Sequence, residues 1–132
     1  MARDPYRQAA HRIDRLAAAA KRGADAAEGE AADTFASLAR GFAPKLTGAL
    51  ARSITPHEDG TVSIESADET SGSPERYYSI VETGGEAGPG SHQAPSPFLR
   101  PAAALTAAAL PAIARREVAR AVQIEARRQG GR

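Results

Sequence analysis

The chain has 132 residues, with 17 Lys plus Arg against 16 Asp plus Glu and no Cys, Trp or Asn. That length fits one domain, the missing Cys excludes a disulfide framework or a thiolate metal site, and a net charge of +1 in itself gives no affinity for nucleic acid. Of the hydrophobic residues 31 are Ala, leaving 20 Leu, Ile, Val and Phe, three Tyr and one Met for a core that neighbouring subunits are expected to complete.

The sequence predicts a single α+β domain over residues 1–132, with a long N-terminal helix (1–41), a small antiparallel β-sheet region (46–83), a Gly/Pro-rich loop (84–97) and a kinked C-terminal helical region (98–128). Asp4 before Pro5 combines an N-cap with Pro at the first helical position. Ile13, Leu16, Ala20, Ala24, Ala27, Ala31, Phe35, Leu38 and Phe42 then recur at spacings of three and four straight across Gly23. This predicts one helix to about Arg40, with a break at Gly23 as the alternative. Its small residues would let another backbone approach closely. Gly41 and Pro44 end it.

Leu50, Ser53 and Ile54, then Thr61 to Glu65, then Tyr77 to Val81 are short runs of strand texture. His57 to Gly60 suits a hairpin turn, and Ala67 to Glu75 a polar loop. Thr83 to Pro97 holds four Gly and three Pro and is expected to form a loop with no ladder of its own. Beyond Pro101, the apolar face carrying Phe98, Ala102, Leu105 and Ala109 gives way at Pro111 to a rotated face carrying Ile113, Val118 and Val122, which predicts a kink or two helices there. Arg116, Arg120 and Arg127 line up on the polar side.

Charge is unevenly spread. Glu58 to Glu86 holds eight acids and one base, whereas Arg100 to Arg132 holds seven bases and two acids, so like subunits could meet head to tail. His11, His57 and His92 are scattered, so no metal or cofactor is expected. No nucleophile-elbow or triad pattern is present, and no catalysis is expected. The Gly84 to Gly90 loop lacks the Lys-Ser/Thr ending of a phosphate-binding loop, and Glu86 would repel phosphate. No apolar run reaches the ~20 residues of a membrane span, and no secretory signal is expected at the N-terminus.

Three patterns stand out: Pro44-Lys45-Leu46-Thr47-Gly48-Ala49-Leu50-Ala51-Arg52-Ser53-Ile54, then Tyr77-Tyr78-Ser79-Ile80-Val81-Glu82-Thr83-Gly84, then Pro97-Phe98-Leu99-Arg100-Pro101-Ala102. In that order and with those gaps the chain resembles the HK97 gp10-like family of tailed-phage proteins, whose pattern is similar to P-x-x-T-G-x-L-x-x-S-I, Y-A-x-Y-V-E-x-G-T and P-x-P-F-L-R-P-A. The resemblance spans about residues 1–128. Gly85 stands where that family usually has Thr, and Tyr78 and Ile80 replace its usual Ala and Tyr.

The resemblance implies a non-enzymatic virion protein, a neck or tail-completion ring subunit that joins the head connector to the tail and is assembled in the bacterial host cytoplasm. The implied partners are copies of itself in a ring, most simply a hexamer, a head-closure or connector protein, and a tail terminator or tail tube protein, with genome DNA passing through unbound. For such a ring Glu65, Asp68 and Glu69 are candidate lumen acids, and Arg116, Arg120 and Arg127 candidate subunit contacts. Leu50, Ile54, Val81, Phe98 and Leu99 are expected to maintain the fold. The alternative is a small nucleic-acid-binding module using the basic C-terminal helix, and a small hydrolase ranks third.

Overall fold

The computed structural model describes residues 4–43, 49–64, 82–88, 91–93 and 95–130. Two long helices, α1 (Pro5–Phe42) and α3 (Leu99–Gly130), pack along each other, with the short helix α2 (Ala49–Ser53) and two small hairpins between them in the chain. The α+β assignment holds.

α1 begins as its sequence dictates. Asp4 Oδ1 accepts from the N–H groups of Tyr6 (3.0 Å) and Arg7 (3.3 Å), and Pro5 opens the first turn. The helix runs unbroken through Gly23 and closes with an Ala43 N–H to Ala39 carbonyl bond of 2.9 Å. Ala43, the residue before Pro44, is extended as that position favours.

The buried positions of α1 are Ala19, Gly23, Ala27, Ala32, Ala36 and Ala39, which corrects the predicted stripe. Of that stripe only Ala27 is fully buried, while Ile13 is 65% and Phe42 42% exposed. The reason is close approach. α3 runs antiparallel to α1 and seats its backbone on the Gly and Ala positions, and at this distance larger side chains fit only at the margins. At 100° per residue the first three of these positions and the last three lie on roughly opposite sides of α1. Its first half therefore packs on α3, and its second half also packs on the hairpin core.

α3 is one helix, not two. It passes through Pro111, which is exposed, as is Ala107, the residue whose carbonyl loses a partner to the proline, so water can satisfy that group.

Leu50 and Ser53 belong to α2, a correction to their expected strand. Ala49 to Ser53 is good helix-forming sequence, and Ser53 Oγ–H donates back to the Leu50 carbonyl at 2.6 Å. The strand starts one residue later. β1 (Ile54–Pro56) pairs antiparallel with β2 (Val62–Ile64) in the register Ile54↔Ile64, Thr55↔Ser63, Pro56↔Val62. The expected turn joins them: the His57 N–H donates to the Thr61 carbonyl at 2.9 Å, and Asp59 Oδ1 accepts from the N–H (3.0 Å) and hydroxyl (2.6 Å) of Thr61. Those bonds hold the exposed Asp59 carboxyl below its usual range, the Thr61 hydroxyl contributing most.

The Gly/Pro-rich segment also departs from expectation, because it has a ladder. β3 (Gly85–Gly88) pairs antiparallel with β4 (Ser91–Gln93), irregularly between Glu86 and Gly88. The Pro89-Gly90 pair between these strands is a turn signal, and strands this short need no apolar run to advertise them. The predicted strand Tyr77 to Val81 and the loop Ala67 to Glu75 lie outside the described residues.

The core gathers at one end of the helix pair: Ala36, Ala39, Ala43, Leu50, Ile54, Phe98 and Ala102, with Phe98 and Ile54 its largest fully buried side chains. Arg40 clamps it, donating from Nε (3.1 Å) and from Nη2 to the Ile54 carbonyl.

Candidate functional site

α3 begins without a side chain of its own able to cap it. The residue before Leu99 is Phe98, whose ring is fully buried, so the first N–H groups of the helix need a remote acceptor. Glu82 supplies it from 16 residues upstream. Glu82 Oε2 accepts from the N–H of Phe98 (2.8 Å) and of Leu99 (2.9 Å), and Oε1 accepts from the N–H of Arg100 (2.9 Å). Three bonds to an ionised carboxylate at a helix N-terminus add charge-assisted strength to the favourable dipole. Partial burial pushes this carboxyl upward. The Leu99, Phe98 and Arg100 N–H groups and the Arg100 charge outweigh that push and hold it below the usual glutamate value.

Two residues after Glu82, Gly84 has φ 79°, in the left-handed region where a Cβ is strained. The chain thus swings from the capping carboxylate directly into β3. Glu82, Thr83 and Gly84 therefore carry a job that spacing alone did not reveal: the second sequence pattern closes onto the third. The signal available in the sequence was an acid in one motif and an uncapped helix start in the other.

Within the third pattern Pro97 and Arg100 are exposed, Leu99 and Pro101 half-buried, and Phe98 is in the core as expected. From the first pattern Leu50, Ser53 and Ile54 are buried beside it. Leu50, Ile54 and Phe98 belong to one cluster, with Leu99 against it. Thr47, Gly48, Tyr77 and Val81 lie outside the described residues, as do the candidate lumen acids Glu65, Asp68 and Glu69.

The candidate contact arginines divide. Arg116 pairs with Glu30 across the helices and lies 3.6 Å from Glu117, and Arg120 lies 3.8 Å from Glu117, so both are engaged within the chain. Arg127 is exposed in the last turns of α3, where its charge suits the helix dipole. Glu125, not anticipated as a site, is buried between the helices. Arg15 and Arg22 of α1 approach it at 3.9 and 4.0 Å, and the Gln129 amide donates to it at 3.3 Å.

An apolar groove of about 300 Å³ runs where α1, β2 and α3 meet, lined by Phe35, Val62, Ala103, Thr106, Ala107 and Leu110 among others. Leu110, on its rim, is 42% exposed. Phe35 and Val62, which pack against the core cluster, form part of its wall.

Among the described residues no three His, Asp or Glu side chains are grouped to hold a metal ion, and no helix is long and apolar enough to cross a membrane. No protein-family model matches the chain, and neither does a curated protein or a solved structure.

Proposed function

We propose that this chain is a structural subunit of a tailed-phage or phage-like particle, a ring component that joins the head connector to the tail. The carrying observation is that the patterns around Glu82 and Phe98, which resemble the HK97 gp10-like family, form one connected unit through the three bonds from Phe98, Leu99 and Arg100 to the Glu82 carboxylate. A motif pair joined in this way is fold-defining, so its resemblance bears on the whole subunit. The apolar groove at Leu110 and the Ala-dominated core support a subunit completed by neighbours.

A ring needs a heterologous contact, in which one patch meets a different patch on the next copy and the rotation closes. The acidic stretch Glu58 to Glu86 and the basic stretch Arg100 to Arg132 favour that register over self-pairing. The reading has no catalytic step. Its partners are the head-closure or connector protein, the tail terminator or tube protein, and copies of itself, most simply six.

Mass spectrometry and image reconstruction of purified particles test this reading. The expected result is the chain in a ring between head and tail. Particles that assemble complete necks without it would overturn the proposal.

A further inference from the structure

The antiparallel pairing of α1 and α3 brings two separate basic segments to the same end of the molecule. Residues 5–22 of α1 and 115–130 of α3 together carry ten Lys and Arg against three acids, in a chain whose total is +1. Contacts across the pair fix this juxtaposition: Gln129 Nε2–H donates to the Arg12 carbonyl at 3.2 Å, and Glu125 lies between Arg15 and Arg22.

Two of the three acids are already engaged. Glu125 is flanked by those two arginines, and Glu117 by Arg116 and Arg120. Lys21, Arg115, Arg127 and Arg128 are exposed and make no ion pair among the described residues.

The geometry points to this arm as a docking surface for the phosphate backbone of duplex nucleic acid, read without regard to base sequence. Eighteen residues of α1 give the arm a length of about 27 Å, and duplex DNA offers one phosphate per ~1.7 Å of axis. The face turned toward the arm therefore presents roughly five phosphates. Guanidinium groups match phosphate oxygens bidentately and are weakly hydrated. Tyr6 is the one aromatic residue on the arm, so stacking on bases has little part in it. Tyr6, Ile13 and Ile124 are the exposed large apolar residues here, too few for the apolar face of a membrane-lying helix. The inference shares the basic residues of α3 with the head-to-tail contact of the ring reading and concerns the isolated chain, in which no neighbouring copy covers them.

Fluorescence anisotropy with a labelled 30-base-pair duplex of arbitrary sequence tests it, titrating NaCl from about 50 to 200 mM. Five phosphate contacts predict a log K against log salt slope of about −4 to −5 and a loss of roughly two and a half to three orders of magnitude across that range. The Arg127→Gln/Arg128→Gln double variant should reduce the slope by about two. Arg52→Gln/Arg100→Gln, which removes the same charge at the far end, should leave it unchanged, with circular dichroism checking the fold of each.

Absence of binding at 50 mM salt, or equal losses in the two double variants, overturns the proposal. Tighter binding to vesicles containing phosphatidylserine than to the duplex does so in favour of a membrane surface. Salt-sensitive self-association without DNA that Arg127→Gln/Arg128→Gln abolishes does so in favour of a second copy. Failure of the chain to enter particles while these binding results hold would count against the ring reading alone.

Discussion

Gly23→Ala should destabilise the protein, although the same change in an isolated helix would stabilise it by about 1 kcal/mol. Gly23 is buried midway along the helix pair, and a Cβ built on it would stand 2.6 Å from Val118 Cα and 2.7 Å from the Glu117 carbonyl oxygen. Both obstacles are backbone, so no rotamer change can make room. Restoring ordinary contact means moving from 2.6 Å to at least 3.4 Å, which separates α1 from α3 by about 0.8 Å. A gap of that size forfeits about a quarter to a half of each dispersion contact along the seam, and it stretches the Arg15 and Arg22 approaches to Glu125 beyond their present 3.9 and 4.0 Å. Overpacking of this kind costs about 1–3 kcal/mol, which exceeds the propensity gain.

Urea and thermal unfolding of three glycine variants decide the matter. Gly41→Ala meets nothing within 4 Å and Gly29→Ala meets only the Glu58 carbonyl oxygen at 3.5 Å, so both should be stabilised by up to about 1 kcal/mol. Gly23→Ala should melt lower than wild type by about 3 °C or more. A Gly23→Ala protein at least as stable as Gly41→Ala would refute the close seating of the two backbones.

Glu82→Gln removes the ionised acceptor from the start of α3 and should cost about 1–3 kcal/mol at neutral pH by urea unfolding. Because the folded carboxyl is held below its unfolded value, its contribution is present above that value and disappears as pH falls through the folded one. The wild-type advantage over Glu82→Gln should therefore shrink below about pH 4.5, and a gap that stays constant to pH 3 would contradict the capping role. Phe98→Ala empties the largest fully buried site and should cost about 3 kcal/mol or more, with a loss under 1 kcal/mol counting against a core position. His11 and His57 are exposed, His57 Nε2 resting 2.8 Å from Ser63 Oγ, so replacing all three His by Gln should leave stability within about 1 kcal/mol and particle incorporation unchanged. A folded triple variant that is excluded from particles would give the His a role.

The elements most legible in the sequence were those set by local chemistry. Asp4-Pro5 fixed the start of α1, and the polar run His57 to Gly60 fixed a turn, since capping and turn bonds reach only two to four residues. The face of α1 was misread because hydrophobic periodicity weights large side chains, whereas this seam selects for small ones. Ile13 and Phe42 stood on the predicted stripe and are exposed, while Gly23 stood as a candidate break and lies at the closest contact. Leu50 and Ser53 were misread because a five-residue helix leaves no period to detect. The Glu82 cap was beyond reach for a different reason: a bond spanning 16 residues has no sequence period at all, and only the uncapped Phe98-Leu99 start hinted that an acceptor must come from elsewhere.

The two ends of the helix pair follow from one compositional choice. Burying Ala removes far less apolar area than burying Leu or Phe, so an Ala and Gly seam contributes mainly by letting backbones approach. It cannot supply much hydrophobic stabilisation along its length. The larger contributions then have to be concentrated, and they gather where Phe98, Ile54, Leu50 and the Arg40 clamp meet. The described parts of the three sequence patterns meet there: Leu50, Ser53 and Ile54 from the first, Glu82 from the second and Phe98 from the third. The opposite end carries little apolar load and can tolerate the mutual repulsion of ten basic side chains with only Glu117, Glu125 and Asp14 against them. Such repulsion costs folding free energy that an anionic partner would relieve. A surface that is destabilising alone and neutralised by a polyanion couples docking to stability, so the charge belongs at the end where the core is thinnest and the seam least sensitive to it.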